Sequence, residues 1–119
     1  MIFIAKNEDG IPSWKLIQQN QKTVTRRLNP IAVGKDFAIC PGRGKFAICR
    51  CIVTSCIPHK SWIIKSSRFI TEPYDAKQIL DNEAHKEGFK SWQGLMRWFS
   101  ERAIDINQTY RIEFKIRNF

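Results

Sequence analysis

Near the C-terminal end of the chain, Tyr110, Ile112, Phe114 and Ile116 alternate with Arg111, Glu113, Lys115 and Arg117. A period of two is that of a strand with one buried face and one wet face. The chain must therefore build a sheet and cover one side of it. Phe46 to Cys56, an apolar and β-branched run interrupted by Arg50, supplies a central strand, bent or bulged if it closes a barrel, and Pro58 ends it. Shorter strands are expected at Met1 to Ala5, at Phe37 to Cys40 and at Trp62 to Lys65, with a turn at Pro41-Gly42-Arg43-Gly44.

Helical patterns fall between these strands. Pro12 and Ser13 are placed to start a short helix over Trp14 to Gln19, with Asn20 as its stop. Thr23-Val24-Thr25 is β-branched and favours extended chain. Asp75 reads as an N-cap with Gln78 in capping-box position, and Ala76, Ile79, Leu80 and Ala84 follow at helical spacing up to Gly88. Ser91 caps a further helix whose Trp92, Leu95, Met96 and Phe99 form an apolar stripe. The order is strand, helix, several strands, two helices and a last strand. Such an order favours an antiparallel or mixed sheet over a doubly wound one. The expected architecture is α+β, a small mixed β-barrel with helices at its side, in one domain spanning residues 1–119.

The chain is strongly basic, with 20 Lys and Arg against 11 Asp and Glu and a formal net charge of +9. Such a field attracts polyanions. No apolar run approaches the ~20 residues that span a bilayer, so no membrane partner is expected. The N-terminus lacks the charged start and apolar stretch of a signal peptide, and a cytoplasmic protein is expected. In that compartment Cys40, Cys49, Cys51 and Cys56 stay reduced. Their spacing matches no zinc signature, so they read as buried thiols, and neither metal nor cofactor is expected.

Chemistry concentrates in Lys22-Thr23-Val24-Thr25-Arg26-Arg27, which holds three cations and two hydroxyls at a helix-to-strand junction. Thr23, Thr25 and Arg27 point to one face of the extended part, and Lys22, at the bend, is placed to reach it. Arg27 carries a planar fork for phosphate or carboxylate. Arg26 and Arg27 beside Lys22 lower its pKa and suit it to act as a base. Trp62, between Lys60 and Lys65, is the best candidate for an exposed stacking platform. Trp14 is expected to pack its helix on the barrel, and Trp92 to be buried. Asp81 and Glu83 read as solvated helix charges, and His59 and His85 as isolated histidines without a ligand role.

The run Gln21 to Arg27 resembles the Gly-x-Lys-x-x-x-x-Arg signature of the ASCH superfamily, in its Lys-Thr-x-Thr-x-Arg form. Gly34-Lys35-Asp36, Ala84-His85-Lys86-Glu87-Gly88-Phe89 and Tyr110-Arg111-Ile112-Glu113-Phe114 are similar, in order and spacing, to three further segments of that family. The resemblance runs from Pro12 to Lys115. Asn20 stands where the signature has glycine, and Asn tolerates the left-handed backbone a turn requires. Lys35 splits a pair that is usually Gly-Asp.

The resemblance implies a PUA-like β-barrel with a cleft between barrel and helices, and RNA, a nucleotide or a modified nucleoside as ligand. In one bacterial branch the acetyl amide of N(4)-acetylcytidine is hydrolysed by a Lys base, a Thr nucleophile and a Glu proton donor. By position these are Lys22, Thr25 and Glu87 here, with Thr23, Arg26, Arg27 and Trp62 as ligand-binding residues. Other members are linked to RNA cleavage or to plain nucleic-acid binding. A non-catalytic RNA-binding module and a metal-independent ribonuclease using the same cleft therefore stand beside the amidohydrolase.

Overall fold

The computed structural model describes Phe3 and residues 5–117. Its elements are α1 (Ser13–Gln18), β1 (Val24–Arg27), β2 (Asp36–Ile39), β3 (Cys49–Pro58), α2 (His59–Ser67), α3 (Pro73–Lys86), α4 (Trp92–Glu101), a 3-10 turn (Ile106–Gln108) and β4 (Tyr110–Ile116). The strands form one sheet in the order β1-β4-β3-β2, and every pairing is antiparallel. The fold is thus α+β as expected. The sheet is open where a closed, mixed barrel was expected. β1 and β2 are its edges, and the core face between them is filled by packing, with Phe3 and Ile17 of α1 laid against it.

The alternation in β4 explains the core. Ile112 and Phe114 turn to one face, where they meet Phe37, Ile39, Cys51 and Val53. The rings of Phe3, Phe37 and Phe114 pack within 5.8–6.5 Å of one another, centroid to centroid. Trp14 packs against this cluster, as expected of its helix. β3 is bulged although the sheet does not close into a barrel: its register against β4 shifts between Val53 and Ser55. Val53 and Cys56 lie three apart, and the inserted residue lets both serve the core face. Cys51 is fully buried, whereas Cys40, Cys49 and Cys56 are half-buried, and all four are free thiols.

Several boundaries differ from the sequence reading. Trp62 to Lys65 is part of helix α2, not a strand. Its Ile63-Ile64 pair mimics a strand locally, but β3 stays paired as far as Pro58, and the His59 N–H then donates to the Thr109 carbonyl at 2.9 Å. From there a helix sets His59 and Trp62 on one face, against Trp92 of α4. Helix α3 starts earlier than expected, with Glu72 at the N-cap and Asp75 in its first turn. The Asp75 carboxylate accepts from Thr71 and from the Glu72 N–H, and these bonds, that of the Thr71 hydroxyl first, hold its pKa below the usual range. The strand read at Met1 to Ala5 falls mainly outside the described residues. Within it, the Phe3 and Ala5 carbonyls accept from the N–H groups of Trp14 and Ser13.

α1 and α3 end in the same motif. After α1, Asn20 takes φ 59°, and the N–H groups of Asn20 and Gln21 return to the carbonyls of Ile17 and Leu16. After α3, Gly88 takes φ 91°, and the N–H groups of Gly88 and Phe89 return to His85 and Ala84. Both are Schellman endings, and Asn20 fills a position that glycine usually takes. The two ends abut: a Cβ on Gly88 would lie 2.8 Å from Leu16 Cδ1. Gly88→Ala is expected to lower stability by about 1–2 kcal/mol from backbone strain alone, with the Leu16 clash added. Urea denaturation of the two proteins checks this.

Candidate functional site

Lys22 lies where the two helix ends meet. Its main-chain N–H donates to the Leu16 carbonyl at 3.2 Å, and the next residue, Thr23, donates to Lys86 at 2.8 Å. The side chain is buried, and Nζ donates to the carbonyls of Val24 and Glu87, each at 2.9 Å. An ammonium at the carbonyl end of a helix is favoured by the helix dipole. The Glu87 carboxylate lies 3.9 Å away. Burial is the largest influence on Lys22 and brings its pKa down to about 8, against the pull of Glu87 and with help from Arg27 and Arg26.

Arg26 and Arg111 are directly paired on β1 and β4 and therefore share one face of the sheet. That face is the one the alternation marked as wet. Here the helices cover it. Arg26 donates through NH2 to Glu83 and through NH1 to Glu87, both at 2.7 Å, and through Nε to His59 Nδ1 at 2.9 Å. Arg111 grips Glu83 by two contacts, at 2.5 and 3.0 Å, and reaches Glu113 at 3.0 Å. Glu83 is 2% exposed, so it is no solvated helix charge. Its burial pushes its pKa up, but Arg111 and Arg26 more than offset this and hold it below the usual carboxylate range. Asp81 is also engaged, as its Oδ1 accepts from the Trp92 N–H at 2.9 Å.

His59 is buried as well, and it is not isolated. Burial, then the Arg26 charge, lowers its pKa to about 4. It is neutral at pH 7, with Nδ1 as the acceptor. Its ring stacks on Trp92 at 6.1 Å, and Trp62 stacks on Trp92 at the same distance. The Arg26 guanidinium lies 4.9 Å from the Trp62 ring centroid. Trp62 is therefore half-buried inside an aromatic and cationic stack, where an exposed platform was expected. Trp92, expected to be buried, is half-buried in the same stack.

A cavity of about 360 Å³ opens beside this network. Lys22, Thr25, Arg26, Arg27 and Glu87 all line it, as do Ser13 and Thr109. Phe3, Phe89, Leu95, Trp98, Phe99 and Ile104 give it an apolar wall. Arg27 packs its guanidinium 4.5 Å from the Phe3 ring centroid, and burial lowers its pKa. Arg26 was expected to bind ligand. Its side chain is 0% exposed, and Glu83, Glu87 and His59 occupy its donors, so it holds Glu87 in place instead of offering an open fork. Thr23 and Trp62 are not among the lining residues.

Glu83, Arg111 and His59 escaped the sequence reading. One signal was present: Glu83 on α3 and Glu87 at its C-cap lie four apart, an arrangement that repels itself on a solvated helix. Two such carboxylates on one face call for cations from elsewhere. Among the described residues, no group of three or more His, Cys, Asp or Glu is placed to hold a metal ion, and no helix is long and apolar enough to cross a membrane. No protein-family model matches the chain, and neither a curated protein nor a solved structure matches it.

Removing Glu83 would leave both buried guanidinium groups without their shared carboxylate. Glu83→Ala is expected to lower stability by about 3–5 kcal/mol in urea denaturation. The network also sets an acid limit. His59 has a folded-state pKa of about 4 against an ordinary 6.5, so between these values the unfolded chain binds the proton that the folded protein refuses. Stability is expected to fall as pH drops from about 6.5 towards 4. His59→Gln, which can still accept from Arg26 but does not titrate, is expected to flatten that part of the stability–pH profile.

Proposed function

We propose that this chain is an ASCH-like domain that takes RNA or a modified nucleoside into the cavity beside β1, and that it hydrolyses an amide on a modified cytidine. The observation that carries the reading is that Lys22, Thr25 and Glu87 line one cavity, with the Lys22 pKa brought down to about 8. At neutral pH about a tenth of such lysines are uncharged, enough to serve as a base. The open four-stranded sheet with helices across one face is compatible with a PUA-like ancestry.

In the reaction, neutral Lys22 takes the Thr25 hydroxyl proton as the oxygen attacks the amide carbonyl. Arg26 holds the Glu87 carboxylate in place through a 2.7 Å contact. The ammonium formed at Lys22 passes its proton to the Glu87 carboxylate 3.9 Å away, and Glu87 delivers it to the leaving amine. Lys22, neutral again, then takes a proton from water, hydroxide attacks the Thr25 ester, and the acid leaves as Thr25 regains its proton. Arg27, also at the cavity, is positioned to stabilise the oxyanion.

The test is release of acetate from N(4)-acetylcytidine. Thr25→Ala is expected to abolish it and Lys22→Ala to lower kcat/KM by about 10²–10⁴-fold. Because the base is the uncharged lysine, the rate is expected to climb roughly tenfold per pH unit below about 8 and to level off above it. Turnover unchanged in either variant would overturn the scheme. The net charge of +9 favours a second reading, an RNA-binding module without chemistry. Its signature is RNA affinity that weakens steeply with salt, with no acetate released.

A further inference from the structure

The helices cover only part of the polar face of the sheet. Along that face the Arg111 side chain is 7% exposed, Glu113 41% and Arg117, just past β4, 50%. Lys115, between the last two, is exposed as well. A period of two keeps these four on one face, so the face passes from buried to open within a single strand. On the open half the register brings three strands together. Ile52 of β3 pairs with Lys115 and with Asp36 of β2. The Arg117 N–H donates to the Arg50 carbonyl at 2.9 Å, which sets those two arginines side by side. Both reach the Asp36 carboxylate, Arg50 at 2.9 Å.

The loop joining β2 to β3 leaves from the same end, where Ile39 pairs with Cys49. Its tip turns at Gly44, with φ 71°, and the Lys45 N–H returns to the Gly42 carbonyl. Arg43 and Lys45 are exposed, and Phe46 beside them is 96% exposed, the most of any large apolar residue described. Five cations, the carboxylate of Asp36 and one bare ring are thus gathered at one end of the sheet. Like charges side by side on neighbouring strands repel, and Asp36 brings one charge against the two of its arginines. Stability does not call for such a grouping, whereas an extended polyanion does. A row of cations beside a bare ring suits a single strand, whose phosphates follow the cations while an unstacked base covers the ring. A duplex keeps its bases stacked inside. A lipid surface requires a broader apolar face than the ring of Phe46.

We infer that the open half of the sheet and the β2–β3 loop form a track for the backbone of single-stranded RNA, with Phe46 as the ring on which a base stacks. The inference rests on the RNA reading proposed above and not on amide hydrolysis. It adds that the nucleotide entering the cavity belongs to a longer chain. β4 joins the two places: its Tyr110 pairs with Arg27 at the cavity, and the run from there to Arg117 spans ~24 Å, a few nucleotides of extended strand.

The experiment follows binding of a fluorescent oligouridylate of about 16 nucleotides to the full chain as salt is raised. Arg50→Gln, Lys115→Gln and Arg117→Gln together are expected to weaken binding at least about tenfold and to lower the slope of log K against log salt by about 2. Phe46→Ala is expected to weaken binding about tenfold with the slope unchanged. Lys60→Gln, Lys65→Gln and Lys77→Gln together remove the same charge from α2 and α3 and are expected to matter far less. None of these residues lines the cavity, so acetate release from N(4)-acetylcytidine is expected to stay as it was in all three variants. Equal losses in the two triple variants, no loss in Phe46→Ala, or no binding of the oligomer would overturn the inference. So would a track variant that keeps its RNA affinity and loses binding to phosphatidylserine vesicles, which would mark a membrane surface instead. Should the track variant fail to fold, Phe46→Ala still decides, since its ring stands in solvent. RNA binding that ignores the track sinks the inference and leaves the RNA reading standing. Acetate release without RNA binding sinks the inference and spares the hydrolase, and track-dependent binding without acetate release does the reverse.

Discussion

The carboxylate of Glu83 sits between the guanidinium groups of Arg26 and Arg111, and the position of α3 against the sheet depends on that pairing. It fastens α3 to β1 and β4, on the face that β4 alone would leave to water. Burying such charges is unfavourable unless each finds its partners, and here each does. Glu83 takes both arginines, and Arg26 in turn takes Glu87 and His59. Removing one member exposes the rest to the full penalty of burial. The network is therefore better understood as a device that fixes the position of α3 than as a source of net stability.

With α3 fixed, its C-terminal end is fixed too. The Schellman ending at Gly88 brings that end against Leu16, and the matching ending at Asn20 turns the chain so that Lys22 enters the junction. Lys22 is held by backbone, through carbonyls on β1 and at the end of α3. The result is an amine kept from water beside a carboxylate, in a protein whose other cations are mostly on the surface. Glu87, at a helix end that disfavours an acid, is retained because Arg26 and Lys22 both lie against it.

Local signals in the sequence were sufficient where structure is local. The alternation from Tyr110 to Ile116, the Ser91 cap and the left-handed Asn20 were all legible, since each follows from neighbours along the chain. Lys22, Thr25 and Glu87 were singled out by resemblance, and the fold brings all three to one cavity. What stayed hidden is what the helices cover. Arg111 looked wet because period two cannot say whether a second layer lies on the polar face. Glu83 and His59 looked ordinary because their partners lie 57 and 33 residues away along the chain. Trp62 was misjudged for a related reason: Lys60 and Lys65 on either side of it suggested exposure, while Trp92 of α4, which stacks on it, lies 30 residues away along the chain.

The most direct test of this account is an NMR titration of the Lys22 side chain, followed at Cε or Nζ in the intact protein. Burial between the ends of two helices predicts a midpoint near 8. A midpoint near the ordinary 10.5 would mean that the amine is open to solvent, and the charge-locked junction described above would not exist.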